Sequence, residues 1–80
     1  MTNEQRINNM TQEEMLEYYP NNSVELSISM YKSDDSYWVD FSGEGKQLWF
    51  VGGVDSLTGA ISLGLLYLVD NGYVTLGGGE

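Results

Sequence analysis

Val24-Glu25-Leu26-Ser27-Ile28-Ser29-Met30-Tyr31 alternates apolar and polar residues with a period of two. Successive side chains of a strand point to opposite faces, so the pattern predicts a strand whose buried face carries Val24, Leu26, Ile28 and Met30. Ser33-Asp34-Asp35-Ser36 has turn composition, and beyond it Tyr37, Val39 and Phe41 resume the apolar face while Trp38, Asp40 and Ser42 take the other. Gly43-Glu44-Gly45-Lys46 turns the chain again into Gln47-Leu48-Trp49-Phe50-Val51. The result is a three-stranded antiparallel meander.

Upstream, Thr11-Gln12-Glu13-Glu14 matches a capping box, with Thr11 as N-cap, Glu14 at N3, and Met10 and Met15 placed to staple it. A short helix from Gln12 to Tyr19 follows, ended by Pro20-Asn21-Asn22. Residues 1–10 are polar and Asn-rich and read as a flexible lead-in. Downstream, Gly52-Gly53 breaks the strand pattern, and Asp55 is placed to cap a second helix in which Leu57, Ala60, Ile61, Leu65 and Leu68 recur at helical spacing. Gly72 suits its C-terminal cap, Tyr73-Val74-Thr75-Leu76 suits a short fourth edge strand, and 77–80 reads as a flexible tail. The expected architecture is one α+β domain over 11–76, with the long apolar helix packed on one sheet face.

A first turn centred on Asp34 and Asp35 pairs Met30 with Val39 and Ile28 with Phe41 on one face, and Tyr31 with Trp38 and Ser29 with Asp40 on the other. Carried through the second turn, the register sets Phe41 against Leu48 and Val39 against Phe50 inside, and Asp40 against Trp49 and Trp38 against Val51 outside. The expected core is Leu26, Ile28, Met30, Val39, Phe41, Leu48, Phe50, Leu57, Ile61, Leu65 and Leu68. The outer face then presents Tyr31, Trp38, Trp49 and Val51 around Asp40, a composition typical of protein-binding hot spots. The competing expectation is that the first helix folds over this face through Met15, Leu16, Tyr18 and Tyr19.

A chain of 80 residues supports a single core. Its hydrophobic content of 41% argues for folding despite a net charge of −9. Cysteine and histidine are absent, which removes disulfides, thiolate metal sites and the commonest general base. Asp34 and Asp35 with Glu44 or Asp40 lack the calcium-loop pattern, and Gly43-Glu44-Gly45-Lys46 lacks the spacing of a phosphate loop. No catalytic residue, cofactor or metal is therefore assigned.

The N-terminus lacks the pattern of a secretory signal, and Leu57 to Val69 is short and interrupted by Gly59 and Gly64, so a cytoplasmic location is expected. Twelve acids against Arg6, Lys32 and Lys46 argue against direct contact with nucleic acid or anionic membrane and for a basic protein partner. Glu13 and Glu17 lie one helical turn apart, Asp34 and Asp35 share a hairpin tip, and the register brings Glu25 near Glu44. Like charges so placed are mutually destabilising, and either phosphate mimicry or simple solvation of the surface accounts for them. The candidate partner-binding residues are Glu13, Glu14, Glu17, Tyr31, Asp34, Asp35, Trp38, Asp40, Glu44 and Trp49. The second helix also carries Leu63, Leu66, Tyr67 and Val69 off its main stripe. It must be wrapped by the rest of the chain or by a second copy, which leaves a homodimer open.

The opening Thr2-Asn3-Glu4-Gln5-Arg6-Ile7-Asn8-Asn9-Met10-Thr11-Gln12-Glu13-Glu14-Met15-Leu16-Glu17-Tyr18 resembles the start of small Firmicutes phage and prophage proteins. In its acidity, small size and mixed helix-and-meander pattern the chain also resembles the phage-encoded anti-CRISPR proteins, a group without a common fold. The resemblance implies an inhibitor that occupies a basic nucleic-acid-binding surface, such as that of a CRISPR effector. A homo-oligomeric structural or accessory phage protein is the alternative.

Overall fold

Two tight turns organise the sheet. Asp34 and Asp35 take φ of 54° and 62°, and Glu44 and Gly45 take 53° and 79°, the paired left-handed conformations of two-residue hairpin loops. They join β1 (Ser27–Ser33), β2 (Ser36–Gly43) and β3 (Lys46–Val54) in the order β1-β2-β3, all antiparallel. The computed structural model describes residues 2–77. The tail expected at 77–80 lies, beyond Gly77, outside the described residues.

The first hairpin has the expected register, with Ile28 opposite Phe41, Ser29 opposite Asp40, Met30 opposite Val39 and Tyr31 opposite Trp38. The second does not. Ser42 pairs with Gln47 but Phe41 pairs with Trp49, so Leu48 is an extra residue in β3. A one-residue slip exchanges the faces of a strand. Trp49 and Val51 therefore pack on the core, while Phe50 and Leu48, both expected inside, are 55% and 40% exposed. A second irregularity between Tyr37 and Val39 is absorbed at Gly52-Gly53, where Gly53 takes φ of 70°. At the other end, Ser23 N–H donates to the Leu26 carbonyl (2.8 Å), a local turn that delays β1 to Ser27 and leaves Val24 in solvent.

The C-terminal helix, α3 (Leu57–Asp70), is capped by Ser56 rather than Asp55, the Ser56 Oγ accepting from Gly59 N–H at 3.0 Å. It ends in a Schellman arrangement, with Tyr73 N–H donating to the Leu68 carbonyl, Gly72 N–H to Val69, and Gly72 at φ 79°. Ala60, Ile61, Gly64, Leu65 and Leu68 are its buried positions. A β-carbon at Gly64 would fall on the Tyr19 hydroxyl and stand 3.1 Å from Phe41 Cζ, so the bare backbone is what lets α3 settle on β2. Tyr19 Oη crosses this position to donate to the Ile61 carbonyl at 2.6 Å.

The polar opening is a helix. α1 (Asn3–Asn8) has its own capping box, Gln5 N–H donating to Thr2 Oγ1 and Thr2 N–H to Gln5 Oε1, and it buries Ile7. A lone apolar residue among polar neighbours carries no period, so composition alone misreads it as a lead-in. The second short helix, α2 (Gln12–Glu17), begins with the expected Thr11–Glu14 box, stops before Tyr18 and Tyr19, and buries Met15. Both short helices pack beside α3. The expected fourth strand is absent: residues 73–76 run as irregular chain, Leu76 enters the core, and Arg6 donates to the Leu76 and Gly77 carbonyls at 3.4 and 3.0 Å. The left-handed turn at Gly72 sends the chain toward α1 instead of a sheet edge. Part of the surplus apolar surface of α3 is thus wrapped by α1, α2 and this segment, while Leu63 stays 40% exposed.

Two expectations follow. Phe41→Ala should destabilise by about 3–5 kcal/mol, comparable to the whole stability of a small domain, whereas Phe50→Ala should cost no more than about 1.5 kcal/mol; urea titration separates them. Burial pushes the Tyr19 phenol above its ordinary value of 10.0. The folded chain then holds this proton more tightly than the unfolded one, so the contribution is complete below pH 10 and is lost as pH rises further. Tyr19→Phe should lose about 1 kcal/mol at neutral pH and decline less steeply in alkaline melts.

Candidate functional site

α3 packs on the face of the sheet that holds Val39 and Phe41, α1 and α2 pack on α3, and among the described residues no helix lies over the opposite face. Alternation along β1 and β2 brings Tyr31, Trp38 and Asp40 to this open face, as the sequence implies. The bulge at Leu48 adds Phe50 and removes Trp49. The three rings form a row across the strands: Tyr31 stacks on Trp38 at 6.2 Å between centroids and 6° between planes, and Trp38 on Phe50 at 6.4 Å and 10°. Tyr31 and Phe50 are 47% and 55% exposed.

Trp38 is fixed from beneath as well as from both sides. A β-carbon on Gly52 would fall within the indole, so the ring rests directly on the β3 backbone. Its Nε1–H is buried with no acceptor among the described residues, which costs about 1–3 kcal/mol. Asp40, half-buried beside the row, accepts from Gln47 Nε2 at 3.2 Å. Trp49 lies on the other face between Phe41 (5.2 Å) and Tyr67 (4.9 Å), which withdraws it from the outer patch the sequence assigns it to.

The acids do not converge. Asp34 and Asp35 stand exposed at the tip of the first hairpin and Glu44 at the tip of the second. The length of β2 separates the two tips by roughly 25 Å. Glu44 N–H donates to the Val24 carbonyl (2.9 Å), which places it beside the segment carrying Glu25. Glu13 and Glu17 are exposed on α2, while Glu14 is engaged by the Thr11 N–H at 2.8 Å and serves the cap. Among the described residues no three acids are grouped so as to hold a metal ion, and no helix is long and apolar enough to cross a membrane. The negative charge is divided between the two hairpin tips and α2.

Phe50 is the functional candidate that alternation misses. Gly52-Gly53 marks the neighbouring irregularity in the sequence, but nothing in Gln47-Leu48-Trp49 announces the bulge that turns Phe50 outward.

An opening of about 230 Å³ lies beside β1, lined by Gln12 and Leu16 of α2, Met30, Tyr31 and Lys32 of β1, Tyr37 of β2, and Leu57 and Ile61 of α3. No family model, no curated protein and no solved structure matches this chain.

Gly52→Ala should displace the Trp38 indole and break the row. The expected outcome is loss of the aromatic near-ultraviolet circular dichroism from the stacked rings together with about 1–3 kcal/mol of stability.

Proposed function

We propose that this protein is a non-enzymatic binding protein whose open sheet face docks on a basic, nucleic-acid-handling bacterial protein, in the manner of a phage-encoded inhibitor of a CRISPR effector. The observation that carries this reading is the Tyr31–Trp38–Phe50 row, three aligned rings on a face without a helix over it. Aligned aromatics already held by stacking lose little conformational freedom on docking, and large rings next to a fixed carboxylate are the usual anchors of protein interfaces.

The charge distribution supplies the other half of the argument. Asp34 and Asp35 stand at one end of the strands that carry the patch and Glu44 at the other, and the exposed Glu13 and Glu17 of α2 add to the field of a chain of net charge −9. Such a field draws the protein to a cationic surface and opposes approach to nucleic acid itself. The rings provide the desolvated contact, and the acids provide attraction and orientation. Glu14 and Trp49 leave the set because one serves a helix cap and the other packs between Phe41 and Tyr67.

The two groups should fail differently. With a partner captured from bacterial lysate at low salt, Asp34→Asn with Asp35→Asn should slow association and flatten its salt dependence. Trp38→Ala or Phe50→Ala should speed dissociation by about tenfold or more, and Trp49→Leu should alter stability more than affinity. Displacement of the partner by competing DNA supports occupation of a nucleic-acid surface. Capture of only the chain itself, or affinity unchanged when the rings are removed, overturns the reading.

A further inference from the structure

We infer that the free edge of β1 accepts an extended basic and apolar segment of a partner protein as a fourth strand, with one apolar side chain of that segment seated between α2 and the sheet. The inference rests on the reading of a basic protein partner given above, but it uses the β1 edge, which shares only Tyr31 with the aromatic row.

The argument begins with hydrogen-bond parity. The two-residue turn makes Ser33 and Ser36 a bonded pair, so alternate residues Tyr31 and Ser29 also bond to β2, while Ile28, Met30 and Lys32 turn their backbone groups away from it. At Ile28 those groups are already occupied: Asn22 Oδ1 accepts from Ile28 N–H at 3.1 Å and Asn22 Nδ2 donates to its carbonyl at 3.5 Å. The side-chain amide thus stands in for a neighbouring strand and closes that end of the edge. Met30 and Lys32 have no such cover among the described residues. The opposite edge, on β3, is interrupted by two irregularities, the usual means of discouraging strand addition.

The open stretch lies directly over the groove of about 230 Å³ between Leu16, Met30, Tyr37 and Leu57. A strand added beside Met30 and Lys32 alternates its side chains across the sheet, one entering this apolar groove and the next lying outside against Tyr31. Lys32 does not obstruct it, because its ammonium lies over the Tyr37 ring, 5.6 Å from the centroid, on the β2 side.

Charge names the occupant. On α2, Gln12 and Leu16 line the groove one helical turn apart, and the exposed Glu13 and Glu17 each follow by one position, about 100° further round the helix. Asp34 and Asp35 close the hairpin end. A second copy of this acidic chain brings the same charges against these carboxylates, whereas a lysine- or arginine-flanked apolar segment complements them.

The test pans randomised heptapeptides on the full chain and measures the enriched peptides in solution. The expected result is apolar alternation with basic ends, affinity lowered about tenfold or more by Leu16→Lys at this exposed position, and slowed exchange of the Met30 and Lys32 amides. Lys32→Pro removes an outward N–H that the ladder does not use and should abolish capture; should it fail to fold, exchange in the unaltered chain decides. Absence of enrichment, acidic peptides, or unchanged exchange at both amides overturns the inference. Protection that grows with protein concentration without peptide assigns the edge to a second copy and also overturns it. Phe50→Ala should leave peptide capture intact; if it abolishes capture while Leu16→Lys does not, the peptide sits on the open face, which defeats this inference and leaves the proposed function standing.

Discussion

Phe41 meets α3 where that helix has no side chain. Its ring is fully buried at the centre of β2, in contact range of the Gly64 backbone and packed among Tyr19, Trp49 and Tyr67. A glycine inside a helix costs about 1 kcal/mol relative to alanine, and here the cost is offset by close approach of helix and sheet. The Tyr19 hydroxyl occupies the same gap and ties the end of the second helix to the Ile61 carbonyl. With α3 held this way, its flanks are left for Ile7, Met15 and Leu76, which complete a core that a sheet and one helix of this size could not close alone.

That arrangement places all the helices on one side, and the open face follows from it. Among the described residues no helix is left to cover the second sheet face. A solvated outer face of an antiparallel sheet is ordinarily polar. This one carries Tyr31, Trp38 and Phe50 in a stacked row, with Gly52 beneath the central ring. The rings protect one another by stacking, yet the outer two stay largely in solvent. This exposed apolar surface is the ground on which we propose docking at this face.

The acids stand apart from that surface. They occupy hairpin tips and a short helix, where carboxylates are well solvated, and they act through the summed field more than through any pair. The left-handed conformations of Asp34, Asp35 and Glu44 show that acids hold turn positions for which asparagine or glycine is the easier choice. The first of these tips also ends the uncapped part of the β1 edge, so Asp34 and Asp35 stand next to both the open face and the groove.

The amino-acid sequence alone determined the meander, the first hairpin's register, the capped start of the second helix and the span of α3. Each of these is set by local chemistry: a period of two, turn residues that tolerate positive φ, a Thr and a Glu three apart, and a helical apolar stripe. The tertiary structure decided what depends on contacts between distant residues. Ile7 makes α1 a core helix only because α3 is there to receive it, and Leu76 goes to the core because Arg6 holds the carbonyls of that segment. Leu48 bulges because Trp49 gains Phe41 and Tyr67 as neighbours inside, and this exchange, which no periodicity records, turns Phe50 out to complete the aromatic row in place of Trp49.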